Sequence, residues 1–114
     1  KNMIVGASGE NIYPEEIESV INNFRFVVES LVIQQKGKLV ALVHLNMEEL
    51  EKKYKILKQG MEDKFEEKKQ ELIIELKQYV NTHVNKFSQI NKVVVQSDPF
   101  QKTATLKIKR FLYT

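Results

Sequence analysis

Phe26-Val27-Val28-Glu29-Ser30-Leu31-Val32-Ile33-Gln34-Gln35-Lys36-Gly37-Lys38-Leu39-Val40-Ala41-Leu42-Val43-His44-Leu45 contains two β-branched-rich runs separated by a polar stretch that carries a glycine. Such residues fit a pleated, buried surface and the glycine fits a turn, so the segment predicts a β-hairpin. Upstream, Met3-Ile4-Val5, then Gly6-Ala7-Ser8-Gly9, then Asn11-Ile12-Tyr13 reads as a second, smaller hairpin or loop. Pro14 followed by Glu15 and Glu16 has the chemistry of a helix start, because proline fixes φ where its missing N–H costs nothing and acidic residues oppose the helix dipole. Ile17, Val20, Ile21 and Phe24 then share a face, and Glu18 reads with Glu15 and Glu16 as a helix-start charge.

Downstream, Asn46 with Glu49 resembles a capping box that opens a long charged segment from Met47 to Phe87. Leu50, Tyr54, Leu57, Met61 and Phe65, then Leu72, Leu76, Val80 and Val84, recur at helical spacing, with Gly60 as the expected break between two helices. The run from Asp63 to Glu71 reads as a solvated helical face. A last strand is expected over Lys92-Val93-Val94-Val95-Gln96. The basic, threonine-rich tail from Gln101 to Thr114 offers Leu106, Ile108, Phe111 and Leu112 as apolar anchors. The expected architecture is α+β: a small antiparallel sheet, a hairpin plus an additional strand, covered by helices.

With 114 residues, 42% hydrophobic and 29% charged, the chain is expected to form a single domain, 1–114, with its own core. A net charge of +3 with both signs interleaved demands neither a nucleic-acid nor a membrane partner. The absence of cysteine excludes a disulfide framework, a cysteine nucleophile and a thiolate zinc site, and makes the cytoplasm the simplest location. No apolar run approaches the roughly 20 residues that span a bilayer. The chain opens on Lys1 rather than Met, which suggests a fragment of a longer protein. His44 and His83 lack acidic partners at metal-binding spacing, so both are expected to be packed or surface histidines and no metal site is expected.

The two ends are less generic. Lys1 to Glu18, with Gly9-Glu10-Asn11-Ile12 followed by Pro14-Glu15, resembles the hinge-and-loop motif that opens the C-terminal domain of adenylate-forming enzymes. Lys102-Thr103-Ala104-Thr105-Leu106-Lys107-Ile108-Lys109-Arg110 resembles that superfamily's closing motif. Two motifs in the right order, at the two ends of a domain of the right size, are stronger than either alone. Many members place glycine where this chain has Leu106, whereas Thr103-x-Thr105-x-Lys107-x-Lys109-Arg110 is similar to the long-chain fatty acyl-CoA synthetases, as is Lys86-Phe87-Ser88-Gln89-Ile90.

The resemblance implies the mobile C-terminal lid domain of an ATP-dependent fatty acid:CoA ligase, with its N-terminal adenylation domain as partner. It makes Lys107 the catalytic lysine of acyl-adenylate formation and Lys1 the hinge. It makes Ser8, Gly9, Glu10 and Asn11 the loop that lines the channel for CoA. Lys109 and Arg110 would contact phosphates or the large domain, or keep the tail soluble. ATP, Mg2+, CoA and a fatty acid are implied for the full-length enzyme, with none expected on this chain alone, which should be inactive. A peripheral membrane position stays open for the full-length protein, although no residue indicates one. Two other classes compete: a small nucleic-acid-binding module based on Lys102, Lys107, Lys109 and Arg110 beside Phe111 and Tyr113, and a helical interaction domain based on Met47 to Phe87. The first lacks a glycine-rich phosphate clamp and a concentrated basic face; the second is explained equally well by helices packed on the sheet.

Overall fold

The computed structural model describes residues 2–54 and 62–114, with the side chains of 62 and 63 left aside. Two short strands, β1 (Ile4–Val5) and β2 (Asn11–Ile12), form an antiparallel hairpin and lead into helix α1 (Pro14–Ile21). Strands β3 (Val27–Gln35) and β4 (Lys38–Leu45) pair antiparallel as expected, from Gln35↔Lys38 back to Val27↔Leu45. Their turn is only Lys36-Gly37, with φ of 51° and 76°. Both values lie in the left-handed region that a two-residue turn of the strand-matching hand requires. Asn46 accepts the Glu49 N–H at 3.0 Å and so caps helix α2 (Met47–Tyr54). Helix α3 (Glu62–His83) follows, and strand β5 (Lys92–Val95) closes the sheet in the order β3-β4-β5. The expected break at Gly60, with Leu57 and Met61, lies outside the described residues.

One expectation needs correction. The added strand is not antiparallel: β5 runs parallel to β4, with Val40↔Lys92 through Val43↔Val95 in register, so the sheet is mixed. Parallel neighbours need a crossover of a dozen residues or more, and the helical segment between β4 and β5 supplies it. The crossover is secured by Asn81 of α3, whose side chain accepts the Ile90 N–H at 2.7 Å and donates to the Ile90 carbonyl at 2.9 Å.

The helices cover only one face of this sheet. There Ile17 and Ile21 of α1 and Leu72, Leu76 and Val80 of α3 meet Val32, Ala41, Val43 and Leu45, with Leu50 of α2 completing the core. Arg25, just beyond α1, donates to Glu75 of α3, and this hydrogen bond holds its pKa above the ordinary value. The opposite face carries Leu31, Ile33, Val40 and Leu42, and is closed by the tail through Phe100, Ile108 and Tyr113. Burial on both faces explains why β4 reads as an almost continuous apolar run. Of the four expected tail anchors only Ile108 serves. Leu106, Phe111 and Leu112 are 78%, 73% and 47% exposed, Leu106 in a turn and the other two in the 3-10 turn Arg110–Leu112. Among the described residues no helix is long and apolar enough to cross a membrane.

Candidate functional site

The closing motif folds into a small hairpin. Lys109 N–H donates to the Gln101 carbonyl at 2.9 Å, Lys102 bridges Ile108, and Thr103 N–H donates to the Lys107 carbonyl at 2.8 Å. The loop is Ala104-Thr105-Leu106, closed by Leu106 N–H on the Thr103 carbonyl at 2.9 Å, with Leu106 left-handed at φ 65°. This is the three-residue turn whose last loop position demands positive φ. Lys107 follows the turn, exposed, and its own N–H is held at 3.2 Å by Thr103 Oγ1. Among the described residues its ammonium has no hydrogen-bond or ion-pair partner.

Two other cations of the tail, Lys102 and Arg110, are committed. Lys102 Nζ pairs with Glu29 Oε1 at 2.7 Å, and Glu29 Oε2 also accepts the Phe100 N–H at 2.8 Å. Arg110 forks onto Glu18, Nη1 to Oε2 at 2.9 Å and Nη2 to Oε1 at 2.6 Å. Glu18 Oε2 accepts in addition the Val32 N–H at 2.8 Å, a donor on the outer edge of β3. Glu18 is therefore not a solvated helix-start charge: it is 7% exposed and joins helix, sheet edge and tail. The signal for it lay in spacing, since Glu18 stands in the buried set Pro14, Ile17, Glu18 and Ile21, a position that calls for a partner when filled by a carboxylate. Tyr113 adds its hydroxyl as acceptor for the Gln101 N–H at 2.9 Å and packs edge-on against Phe100 at 5.0 Å. Lys109 is half-buried beside this cluster.

The opening loop repeats the same turn. Gly6 N–H donates to the Glu10 carbonyl at 2.8 Å and Gly9 N–H to the Gly6 carbonyl at 3.0 Å, around Ala7-Ser8-Gly9 with Gly9 at φ 85°. Ser8, Gly9 and Asn11 are exposed, while the half-buried Glu10 lays its carboxyl over Gly6, where any Cβ would collide with it.

These two loops lie on different grooves. Lys107 and Thr103 border one with Asn2, Glu15, Glu18 and Asn22. Gly6, Ala7 and Glu10 border another with Gln34, Lys38 and Phe87. The two sets share no residue. Lys1, the expected hinge, lies outside the described residues, and its neighbour Asn2 donates to Glu15 at 3.4 Å in the Lys107 groove. His44 Nδ1–H donates to the Gln96 carbonyl at 2.9 Å, and His83 stacks on Tyr79 at 4.3 Å. Among the described residues no three His, Asp or Glu side chains gather to hold a metal ion.

No protein-family model and no curated protein matches the sequence. Solved structures do. The chain is 26% identical to a fatty acyl CoA synthetase of Mycobacterium tuberculosis, covering 96% of this chain and 18% of that one with a TM-score of 0.62. It is 27% identical to a benzoate CoA ligase of Burkholderia xenovorans LB400, covering 89% of this chain and 18% of that one with a TM-score of 0.61. MatB of Rhodopseudomonas palustris, solved with ATP bound, shares the fold at 20% identity and a TM-score of 0.67, over 98% of this chain and 19% of that one. The chain thus spans less than a fifth of each of these proteins. It resembles the C-terminal domain of adenylate-forming acyl-CoA synthetases, as the two end motifs implied.

Proposed function

We propose that this chain is the mobile C-terminal domain of an acid:CoA ligase, acting on long-chain fatty acids, and that it serves two half-reactions with its two loops. The observation that carries the proposal is the state of Lys107. It is an exposed ammonium, without a partner among the described residues, on a hairpin braced by a hydrogen-bonded turn, beside two cations that are already paired. A cation held ready and left unneutralised suits a site where negative charge redistributes.

In adenylation a carboxylate oxygen forms a bond to the α-phosphorus of ATP, and the bond to the departing pyrophosphate breaks. A lysine on a flexible stem can meet carboxylate and phosphate oxygens together as their charge shifts, without accepting a proton. Thr103 contributes by fixing the Lys107 backbone through Oγ1. Magnesium is implied with the triphosphate, with most of its contacts expected from the large domain. In the second half-reaction the loop of Ser8, Gly9, Glu10 and Asn11 would border the pantetheine arm of CoA, where a glycine lets a thin ligand pass close to the backbone.

Preference for long acyl chains rests on the likeness of the Thr103 to Arg110 motif to the fatty acyl subgroup. The test is Lys107→Ala in the full-length protein, with pyrophosphate release and thioester formation from supplied palmitoyl-adenylate measured separately. Adenylation is expected to fall about a hundred- to a thousand-fold, while thioester formation continues. Normal rates in both would remove Lys107 from the chemistry.

A further inference from the structure

Resting on the adenylation role of Lys107, we propose that Arg110 is its positioning residue: the Glu18–Arg110 fork, with the Glu29–Lys102 pair at the root of the hairpin, sets the direction in which the Lys107 ammonium points. The hairpin has little apolar grip of its own. Residues 103 to 107 are all exposed, and of the tail's aliphatic side chains Ile108 alone reaches the sheet. Besides the seat of Ile108 on the sheet, the hairpin is fixed by polar contacts, at one point before Lys107 and one after it.

The two anchor carboxylates are each held by a backbone N–H. Glu18 is tied to the Val32 N–H of β3, and Glu29, itself a β3 residue, accepts the Phe100 N–H, so each presents its oxygens from beside the sheet. A guanidinium that meets a carboxylate through two parallel bonds fixes orientation as well as distance, which an ammonium cannot do. Arg110 stands three residues beyond Lys107, at the start of the 3-10 turn Arg110–Leu112, so rotation at its fork turns the strand that carries Lys107. Arg110 meets Glu18 through one N–H of each terminal nitrogen, which fixes the guanidinium plane against the helix and so holds the hairpin.

The test uses the full-length protein with Glu18→Gln, Arg110→Gln, Arg110→Lys, the Glu18→Gln/Arg110→Gln double variant and Lys107→Ala. Glu18→Gln keeps an acceptor for Val32 and is the mild variant. Each single change at 18 or 110 is expected to lower kcat of adenylation about ten- to a hundred-fold. The KM for ATP should stay within about twofold, since no substrate contact is removed. The double variant should be no worse than the worse single, as expected of two residues acting as one unit. Arg110→Lys should not rescue. Thioester formation from supplied acyl-adenylate should persist in all of them, which also reports that the domain is folded.

Arg110→Gln impaired with raised KM for ATP while Glu18→Gln is normal would mean that Arg110 meets substrate directly, and would overturn the clamp. Parallel loss of both half-reactions would reduce the pair to a fold-holding contact and overturn it equally. An inactive Lys107→Ala beside a normal Glu18→Gln sinks the clamp alone, whereas a normal Lys107→Ala sinks the role of Lys107 and the clamp with it.

Discussion

At the scale of single residues, Leu106 is the clearest departure from local rules. Its φ of 65° and that of Gly9, 85°, close the same three-residue turn, yet only glycine occupies that region without steric cost. For an L-residue the left-handed conformation costs about 1–2 kcal/mol, and Leu106 recovers none of it by packing because its side chain is exposed. Leu106→Gly should therefore stabilise the chain by about 0.5–1 kcal/mol after the entropy of the added glycine is subtracted. The readout is a melting temperature a few degrees higher; a lower one would mean that the turn has another conformation in solution. The mismatch was visible in the sequence as a leucine where similar enzymes place glycine, but its cost became readable only with the backbone angle. Glu18 shows the converse. Its type and position suggested a helix-start charge, and only the arrival of Arg110, 92 residues later in the chain, reveals a buried pair.

Among the elements, local pattern carried most of the fold. Alternating β-branched runs, Pro14, the Asn46 cap and the Leu72-Leu76-Val80 stripe each produce the expected element, because each depends on neighbours within a turn or a strand. Strand direction does not depend on such neighbours. Lys92-Val93-Val94-Val95 reads identically in a parallel or an antiparallel ladder, and the path of α2 and α3 decides between them. The stripe of α3 makes a quantitative claim. Leu76 is 1% exposed between Leu72 and Val80, whereas Ile74 on the same helix is 58% exposed. Leu76→Ala keeps helix propensity and removes packing, so it should cost about 2–5 kcal/mol. Ile74→Ala should change stability by no more than about 0.5 kcal/mol. Urea unfolding checks the pair, through a lowered midpoint at unchanged slope for Leu76→Ala alone. Equal costs would mean that α3 packs on the sheet by another face.

The whole molecule places its two candidate loops on separate grooves, each braced on the sheet: the Lys107 hairpin through Glu18 and Glu29, the Ala7 loop beside the β3–β4 turn. Motif order along the chain suggested two working ends but not their separation, which follows from the tail crossing the sheet face opposite the helices. If the domain serves both half-reactions as proposed, two loops on separate grooves reach one active site by a turn of the domain, and damage should partition between the half-reactions. Ala7 is exposed, lies in the ordinary part of its turn and borders the groove with Phe87, so Ala7→Trp fills that groove without straining the backbone. In the full-length protein it is expected to slow thioester formation about tenfold or more while adenylation stays within about twofold. That pattern is the mirror image of the one predicted for Lys107→Ala. If Ala7→Trp instead slows both half-reactions equally in a protein that melts normally, the two grooves serve a single arrangement of the domains, and a turning domain is no longer required.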